Sequence, residues 1–110
     1  MKWFSKSKTL AIIDRPLAYP NPMQGNGTTF QYTLSKAANI EIYIFSPSAE
    51  IIKKIICPAG QPGGSSGKNK KSWDGQTNRG RYSANGILWV NIVSRDDGKA
   101  IGKMRLTVFN

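Results

Sequence analysis

Hydrophobic and polar residues alternate along most of this chain, and a period of two residues is typical of β-strands. The clearest case is the stretch over residues 28–35, in which Phe30, Tyr32 and Leu34 alternate with threonine and glutamine. Further strands are predicted over residues 10–13, 40–45, 50–57, 69–73, 86–93 and 102–109. About seven short strands, with turns about every eight to twelve residues, predict an all-β fold of the β-sandwich type with antiparallel strands.

A large aromatic residue followed by an Asp-Gly turn marks one corner of this predicted fold. Trp73 ends a strand, Asp74 and Gly75 form the turn, and Gly80 and Gly86 punctuate the polar loop that follows. We expect Trp73 to anchor the core, because a buried indole removes roughly 200 Å² from water. Asp74 is expected to accept backbone hydrogen bonds in an Asx-turn, and the three glycines to occupy positions of positive φ or close packing. The alternative is a sugar-binding pair, in which the Trp73 ring stacks on a sugar and the Asp74 carboxylate accepts its hydroxyls.

Prolines and glycines define two further segments. Tyr19-Pro20-Asn21-Pro22 is expected to be extended, and its prolines lack the N–H groups that a regular ladder needs. It is therefore predicted to be a short edge strand that runs into a rigid turn. Residues 58–67 contain four Gly, two Pro and two Ser, and they are predicted to form a flexible loop.

The charge balance is strongly positive, with 16 Lys and Arg against six acidic residues and a formal net charge of +10. Such a balance is typical of a protein that binds an anionic partner, but scattered lysines also keep a soluble β-protein from aggregating. The basic residues are spread along the chain. The chain has no RNA-binding aromatic signature, zinc-finger spacing or helix-turn-helix pattern, which argues against nucleic acid as the partner.

The residue types that most enzymes use are scarce. The chain has no histidine, which is the commonest general base and metal ligand. Cys57 is the single cysteine, so it forms no intrachain disulfide, and its position before Pro58 is typical of a buried strand end. We therefore predict a non-catalytic protein without a cofactor or a metal. No segment is apolar over the roughly 18 or more residues that a membrane-spanning helix needs.

Residues 1–14 are predicted to be an N-terminal extension or strand, separate from a β-domain over residues 15–110. Trp3 and Phe4 are unusual in a basic tail, because exposed aromatic residues tend to find a surface. Leu10 and Ile12 belong to the short strand candidate that follows. These four side chains are predicted partner contacts. The segment either pairs with the sheet edge of a neighbouring copy or packs on its own domain.

The order and spacing of these motifs resemble the FlgD-type immunoglobulin-like domain. The resemblance covers about residues 16–110 and rests on Tyr19-Pro20-Asn21-Pro22, the isoleucine-rich strand over residues 40–45, Trp73-Asp74-Gly75 with Gly80, Ala84-Asn85-Gly86, and Lys103-Met104 at the opening of the final strand. The family is named after the flagellar hook-capping protein and shades into the C-terminal sorting domains of type IX secretion cargo. It implies an immunoglobulin-like β-sandwich of about seven antiparallel strands.

The resemblance also implies a function: a non-catalytic structural, anchoring or secretion-sorting domain at the C-terminus of an exported or cell-surface bacterial protein. The expected partner is a protein, namely the secretion machinery, the parent protein or a second copy, with Lys103 and Arg105 of the last strand as contacts. Two alternatives stay open. One is a self-assembling filament or surface-layer subunit, a homo-oligomer that pairs through its N-terminal segment. The other is a module that binds a polyanion or a carbohydrate. The expected location is extracellular or on the cell surface.

Overall fold

The computed structural model describes residues 9–24 and 27–109. These residues contain seven β-strands and the loops that join them. The predicted contacts Trp3 and Phe4 lie outside these ranges. The strands are β1 (Leu17–Gln24), β2 (Gly27–Leu34), β3 (Ile40–Phe45), β4 (Ile51–Cys57), β5 (Gly67–Trp73), β6 (Gly86–Ser94) and β7 (Lys99–Val108). No helix occurs in the described ranges, so the prediction of an all-β fold with about seven strands is confirmed.

The sheet is mixed and curled, which differs from the purely antiparallel sandwich that the sequence predicts. All seven strands belong to one sheet, in the order β4-β3-β6-β7-β1-β2-β5. The pairing of β1 with β7 is parallel, with Met23 opposite Val108, and the other pairings are antiparallel. Residues 17–19 of β1 pair with β2, and Gln24 pairs with Gly27 of the same strand after an irregular interval. One strand therefore joins β2 and β5 to the other four strands.

One hydrophobic core contains side chains from both parts of this sheet. β2 contributes Phe30, Tyr32 and Leu34, which are fully buried. The buried residues from β3, β6 and β7 are Ile40, Ile42, Ile44, Leu88, Val90, Ile92, Leu106 and Val108. The alternating pattern of Phe30, Tyr32 and Leu34 predicted the inward positions of β2 correctly, because successive side chains of a strand point to opposite faces.

The prediction that Tyr19-Pro20-Asn21-Pro22 forms an edge strand is wrong, because β1 lies inside the sheet between β7 and β2. Both X-Pro peptide bonds of the motif are cis, and the ladder with β2 is interrupted between Tyr19 and Gln24. The side chain of Asn21 bonds to β7 in this interval. Its Nδ2 donates to the carbonyl oxygen of Arg105 and its Oδ1 accepts from the N–H of Thr107, each at 3.0 Å. A side-chain amide thus takes the place of a backbone peptide where the prolines cannot pair.

Replacing Asn21 by alanine is expected to lower the free energy of unfolding by about 1–2 kcal/mol, because two backbone groups of β7 lose their protein partner. Asn21→Asp is the matched control: it keeps the acceptor for Thr107 N–H but cannot donate to Arg105. We expect it to fall between alanine and the parent in urea-unfolding midpoint, with an unchanged slope. An alanine variant as stable as the parent would show that water replaces the amide without cost.

The loop over residues 58–67, which the sequence predicts to be flexible, is tied to the core. Asn69 of β5 is 3% exposed, and its Oδ1 accepts from the N–H groups of Gly63 and Ser65 at 3.0 and 2.9 Å. Its Nδ2 donates to the carbonyl oxygens of Ser65 and Gly67 at 2.8 and 3.0 Å. The buried side-chain amide of Asn69 therefore holds in place a loop that its composition predicts to be flexible.

Residues 9–14 continue the pairing of β1 along β2. The N–H of Ile13 donates to the carbonyl oxygen of Thr33 at 2.9 Å. Leu10 and Ile12 are partly buried and pack against the core of the same domain. Within the described residues, the extension therefore belongs to the domain that follows it.

Candidate functional site

The Trp73 corner, which the sequence singles out, has the geometry of a structural turn. The Trp73 ring is 3% exposed and stacks on Phe30, with ring centroids 6.3 Å apart. Its Nε1 donates to the carbonyl oxygen of Gln76 at 2.8 Å. Asp74 Oδ1 accepts from the N–H of Gln76 at 2.9 Å, which is an Asx-turn. Because so little of Trp73 is exposed, its ring offers no face on which a sugar could stack.

The glycines of the corner have the backbone geometry that the turn requires. Gly75 is buried at φ +87°, and Gly80 and Gly86 also have positive φ. The loop then returns to the free edge of β4, where Asn78 N–H donates to the carbonyl oxygen of Ile52 at 2.8 Å. Covering an edge strand in this way protects it from pairing with another chain.

A cleft of about 640 Å³ lies beside this corner, between β4 and the end of β5. Its charged lining residues are Lys53 and Asp74, and Thr28, Thr29 and Ser72 supply hydroxyls. The Asp74 carboxylate is already engaged in the turn, and the cleft lining contains no cysteine.

The predicted contacts Lys103 and Arg105 lie on the outer face of the sheet, where the structure reveals a larger feature. On β3, β6 and β7, the side chains that alternate with the core residues point outward. The register places Trp89 between Phe45 and Arg105 in one row across the strands. We define the outer aromatic face as the aromatic and polar residues of this row and the next: Phe45, Trp89, Arg105, Lys54, Tyr43, Asn91 and Lys103. The first row ends on β4 at Ile51, which lies opposite Phe45.

Aromatic rings and cations lie close together on the outer aromatic face. Trp89 is 49% exposed, and the rings of Tyr43 and Phe45 lie 6.2 Å apart. The ammonium of Lys54 lies 5.8 Å from the centroid of the Tyr43 ring, within the range of a cation–π contact. Trp89 lies opposite Phe45, and Tyr43 lies beside Phe45, so the three rings form one contiguous patch of the kind that marks an interaction site.

Glu41 is the only acidic residue in β3, β4, β6 and β7, and neighbouring groups satisfy it. The Tyr43 hydroxyl donates to its Oε1 at 2.6 Å. Lys54 Nζ and Arg95 Nε lie 3.6 and 3.8 Å from its Oε2. The hydrogen bond from Tyr43 lowers the pKa of the Glu41 carboxyl, and both cations act in the same direction. Lys54 and Arg95 together outweigh the single negative charge of Glu41. The net charge of this region is therefore positive.

We expect the Glu41 cluster to stabilise the fold at neutral pH and to lose this effect in acid. A carboxyl with a lower pKa in the folded state stabilises the protein above its unfolded pKa, about 4.3 for Glu. That contribution disappears as the pH falls through the folded-state pKa. Glu41→Gln should therefore be less stable than the parent at neutral pH, and the difference should shrink below about pH 4.

Urea-unfolding midpoints at neutral and acid pH measure this convergence for the two proteins. Asp14 and Asp97 also have lowered pKa values, through hydrogen bonds from Thr33 and Lys99, and they titrate alike in parent and variant. Curves that stay parallel from neutral pH to about pH 2.5 would contradict the assignment to Glu41.

Cys57, the one thiol of the chain, is completely buried. Burial raises the pKa of the Cys57 thiol, so little of it is the reactive thiolate at neutral pH. Three or more side chains arranged to hold a metal ion are not found in residues 9–24 and 27–109. The same residues contain no helix that is long and apolar enough to cross a membrane.

The outer aromatic face was not identified from the sequence, although part of its signal is present. Tyr43, Phe45 and Trp89 occupy the non-core positions of their predicted strands. Large aromatic residues at outward positions are a detectable sign of a binding surface. The pairing of β3 with β6, which brings the rings together, is not encoded in any local pattern.

Comparison with known proteins shows a shared fold. No family model matches the chain, and no curated protein matches it. A solved structure with a similar fold is that of PorZ, an essential bacterial surface component of the type-IX secretion system of the human oral-microbiomic Porphyromonas gingivalis. The TM-score is 0.57 at 18% sequence identity, and the match covers 86% of this chain but 11% of PorZ. The chain is thus similar in its β-fold to a small part of a type-IX secretion component.

Proposed function

We propose that this chain is a non-catalytic, immunoglobulin-like module of an exported or cell-surface bacterial protein, serving as a structural, anchoring or secretion-sorting domain. The observation that carries the proposal is the fold it shares with about a tenth of a type-IX secretion surface component. The order of the Tyr19-Pro20-Asn21-Pro22 and Trp73-Asp74-Gly75 motifs, which resembles FlgD-type domains, supports the same class. The proposed partner is a protein of the secretion machinery, the parent protein or a second copy.

The path of β1 supports the immunoglobulin-like part of the proposal. Residues 17–19 and Gln24 pair with β2, and Met23 pairs with β7. This strand therefore links the group of β2 and β5 to the group of β3, β4, β6 and β7. Both groups bury their inner side chains in one core, as the two layers of an immunoglobulin-like sandwich do.

The chemistry of the described residues supports a non-catalytic role. The Asp74 carboxylate is bound in a turn, and Glu41 is matched by two cations and a hydroxyl. Residues 9–14 bond to β2 of their own domain, which favours a module over a subunit that donates its N-terminal strand to a neighbour.

The test is a reporter protein fused in front of the 110-residue chain and produced in a bacterium with a type IX secretion system. We expect the reporter on the cell surface in this host and inside the cell in a secretion-deficient sibling. Deleting the last strand is not a useful control, because β7 lies inside the sheet. Leu106→Asp, which places a charge in the core, is the control for a requirement for the folded module.

Two results would overturn the proposal. Surface display in both hosts would show that the chain does not depend on that secretion system. Retention in both hosts, while the host's own cargo is exported, would show that the chain carries no sorting information.

A further inference from the structure

We propose that the outer aromatic face binds an acidic polysaccharide, a polymer of sugar rings that carry carboxylate, sulfate or phosphate groups. The choice of a surface polymer rests on the proposed function, because location outside the cell makes such polymers accessible. The binding itself is argued from the side chains of the face.

The aromatic row supplies the surface on which sugar rings stack. Phe45 and Trp89 lie directly opposite each other on neighbouring strands, and Trp89 is half-exposed. The C–H faces of pyranose rings pack favourably on aromatic rings of this kind. A sheet face is also flat, which suits an extended chain of sugars better than a compact ligand that needs a concave pocket.

Cations stand at both sides of the aromatic residues. Lys54, which also pairs with Glu41, lies on β4 at one end, and Lys103 and Arg105 lie on β7 at the other. The four strands span about 14 Å from the first to the last, which is the length of a short run of sugar residues. Arg105 is directly opposite Trp89, so one acidic sugar can stack on the indole while its anionic group pairs with the guanidinium.

The charge of the face argues against other occupants. A second copy that met this face symmetrically would bring Lys54, Lys103 and Arg105 of the two copies close together, which is repulsive. A protein partner would have to cover Lys54 and Lys103, and lysine is depleted at protein–protein interfaces, whereas aromatic residues and arginine are enriched there. The aromatic rings and cations also suit single-stranded nucleic acid, and a nucleic-acid probe therefore belongs in the test.

The experiment titrates the purified 110-residue chain with four probes: heparin, polygalacturonate oligomers, neutral dextran and a 15-nucleotide oligothymidylate. Calorimetry measures each affinity at low and at physiological salt. We expect heparin or polygalacturonate to bind, with an affinity that falls as salt rises, and dextran to bind at least about tenfold more weakly.

Variants locate the binding site. Trp89→Ala and Arg105→Glu are each expected to weaken binding at least about tenfold, because they remove the stacking ring and reverse the adjacent charge. Lys68→Glu is the matched control: it makes the same change of net charge at an exposed position of β5, away from this face, and should change the affinity less than about threefold. Thermal unfolding verifies that all three variants fold, as expected for exposed side chains.

Several outcomes would overturn the proposal. They are the absence of binding to both acidic polymers, equal binding of dextran, equal effects of Arg105→Glu and Lys68→Glu, and tighter binding of oligothymidylate. Self-association of the free chain that Trp89→Ala abolishes would assign the face to a second copy. None of these results bears on export of the reporter fusion, so failure of this proposal and failure of the proposed function can be told apart.

Discussion

Gly27→Ala is expected to destabilise the domain by about 3–5 kcal/mol, because the new methyl group has no space and the backbone is in a conformation that alanine disfavours. Gly27 has φ +91°. A Cβ at this position would fall inside the contact distance of the Trp73 carbonyl oxygen and lie 2.8 Å from the Cα of Asp74. Both atoms belong to the backbone of the corner, so no side-chain rotation relieves the clash.

Gly67→Ala separates the two causes of this loss. Gly67 has nearly the same φ, +89°, but nothing lies within 4 Å of a Cβ built on it. We expect a loss of about 1–2 kcal/mol, the cost of left-handed backbone alone. Urea unfolding of both variants, followed by tryptophan fluorescence, measures the difference. Equal losses would show that the close approach of Gly27 to Trp73 contributes nothing.

Asn69→Ala is the second substitution with a large expected effect, a loss of about 2–4 kcal/mol. It removes four hydrogen bonds to the loop over residues 58–67 and leaves the buried N–H of Gly63 without its partner. Such a group bears the full cost of its desolvation, since water cannot reach it. We also expect faster hydrogen exchange at Gly63 and Ser65, because the loop loses the amide that holds it.

Two control variants define this effect. Asn78→Ala removes an exposed asparagine whose Oδ1 accepts one long hydrogen bond, 3.4 Å from Lys54 N, and should cost less than about 1 kcal/mol. Asn69→Asp keeps the two acceptor contacts but loses both donors, so it should leave Gly63 protected and still destabilise the loop. Similar stability of Asn69→Ala and Asn78→Ala would contradict the role of Asn69.

Features that depend on residues close together in the sequence are predicted correctly. Phe30, Tyr32 and Leu34 were predicted to point inward, and they are buried, because a strand's faces follow from the alternation of its own residues. Trp73-Asp74-Gly75 indicates a turn for a similar reason, since the Asx contact and the left-handed glycine involve neighbours in sequence.

The failures involve partners that are distant in the chain. The prolines of β1 correctly indicate an interrupted ladder, but whether the strand lies at an edge depends on β7, which pairs with Asn21 from the other end of the sequence. The composition of residues 58–67 indicates flexibility. It does not predict the hydrogen bonds that hold the loop, because Asn69, which makes them, lies outside this segment.

The amino-acid sequence by itself determined the strand class, the inward positions, the glycine turns and the scarcity of catalytic groups, because each depends on local geometry or on residue type. Tertiary structure alone decided the strand order, the single curled sheet and the outer aromatic face. Phe45, Trp89 and Arg105 come from three separate strands and meet only through their register. Register between distant strands is set by packing of the whole core, and no local pattern of residues contains it.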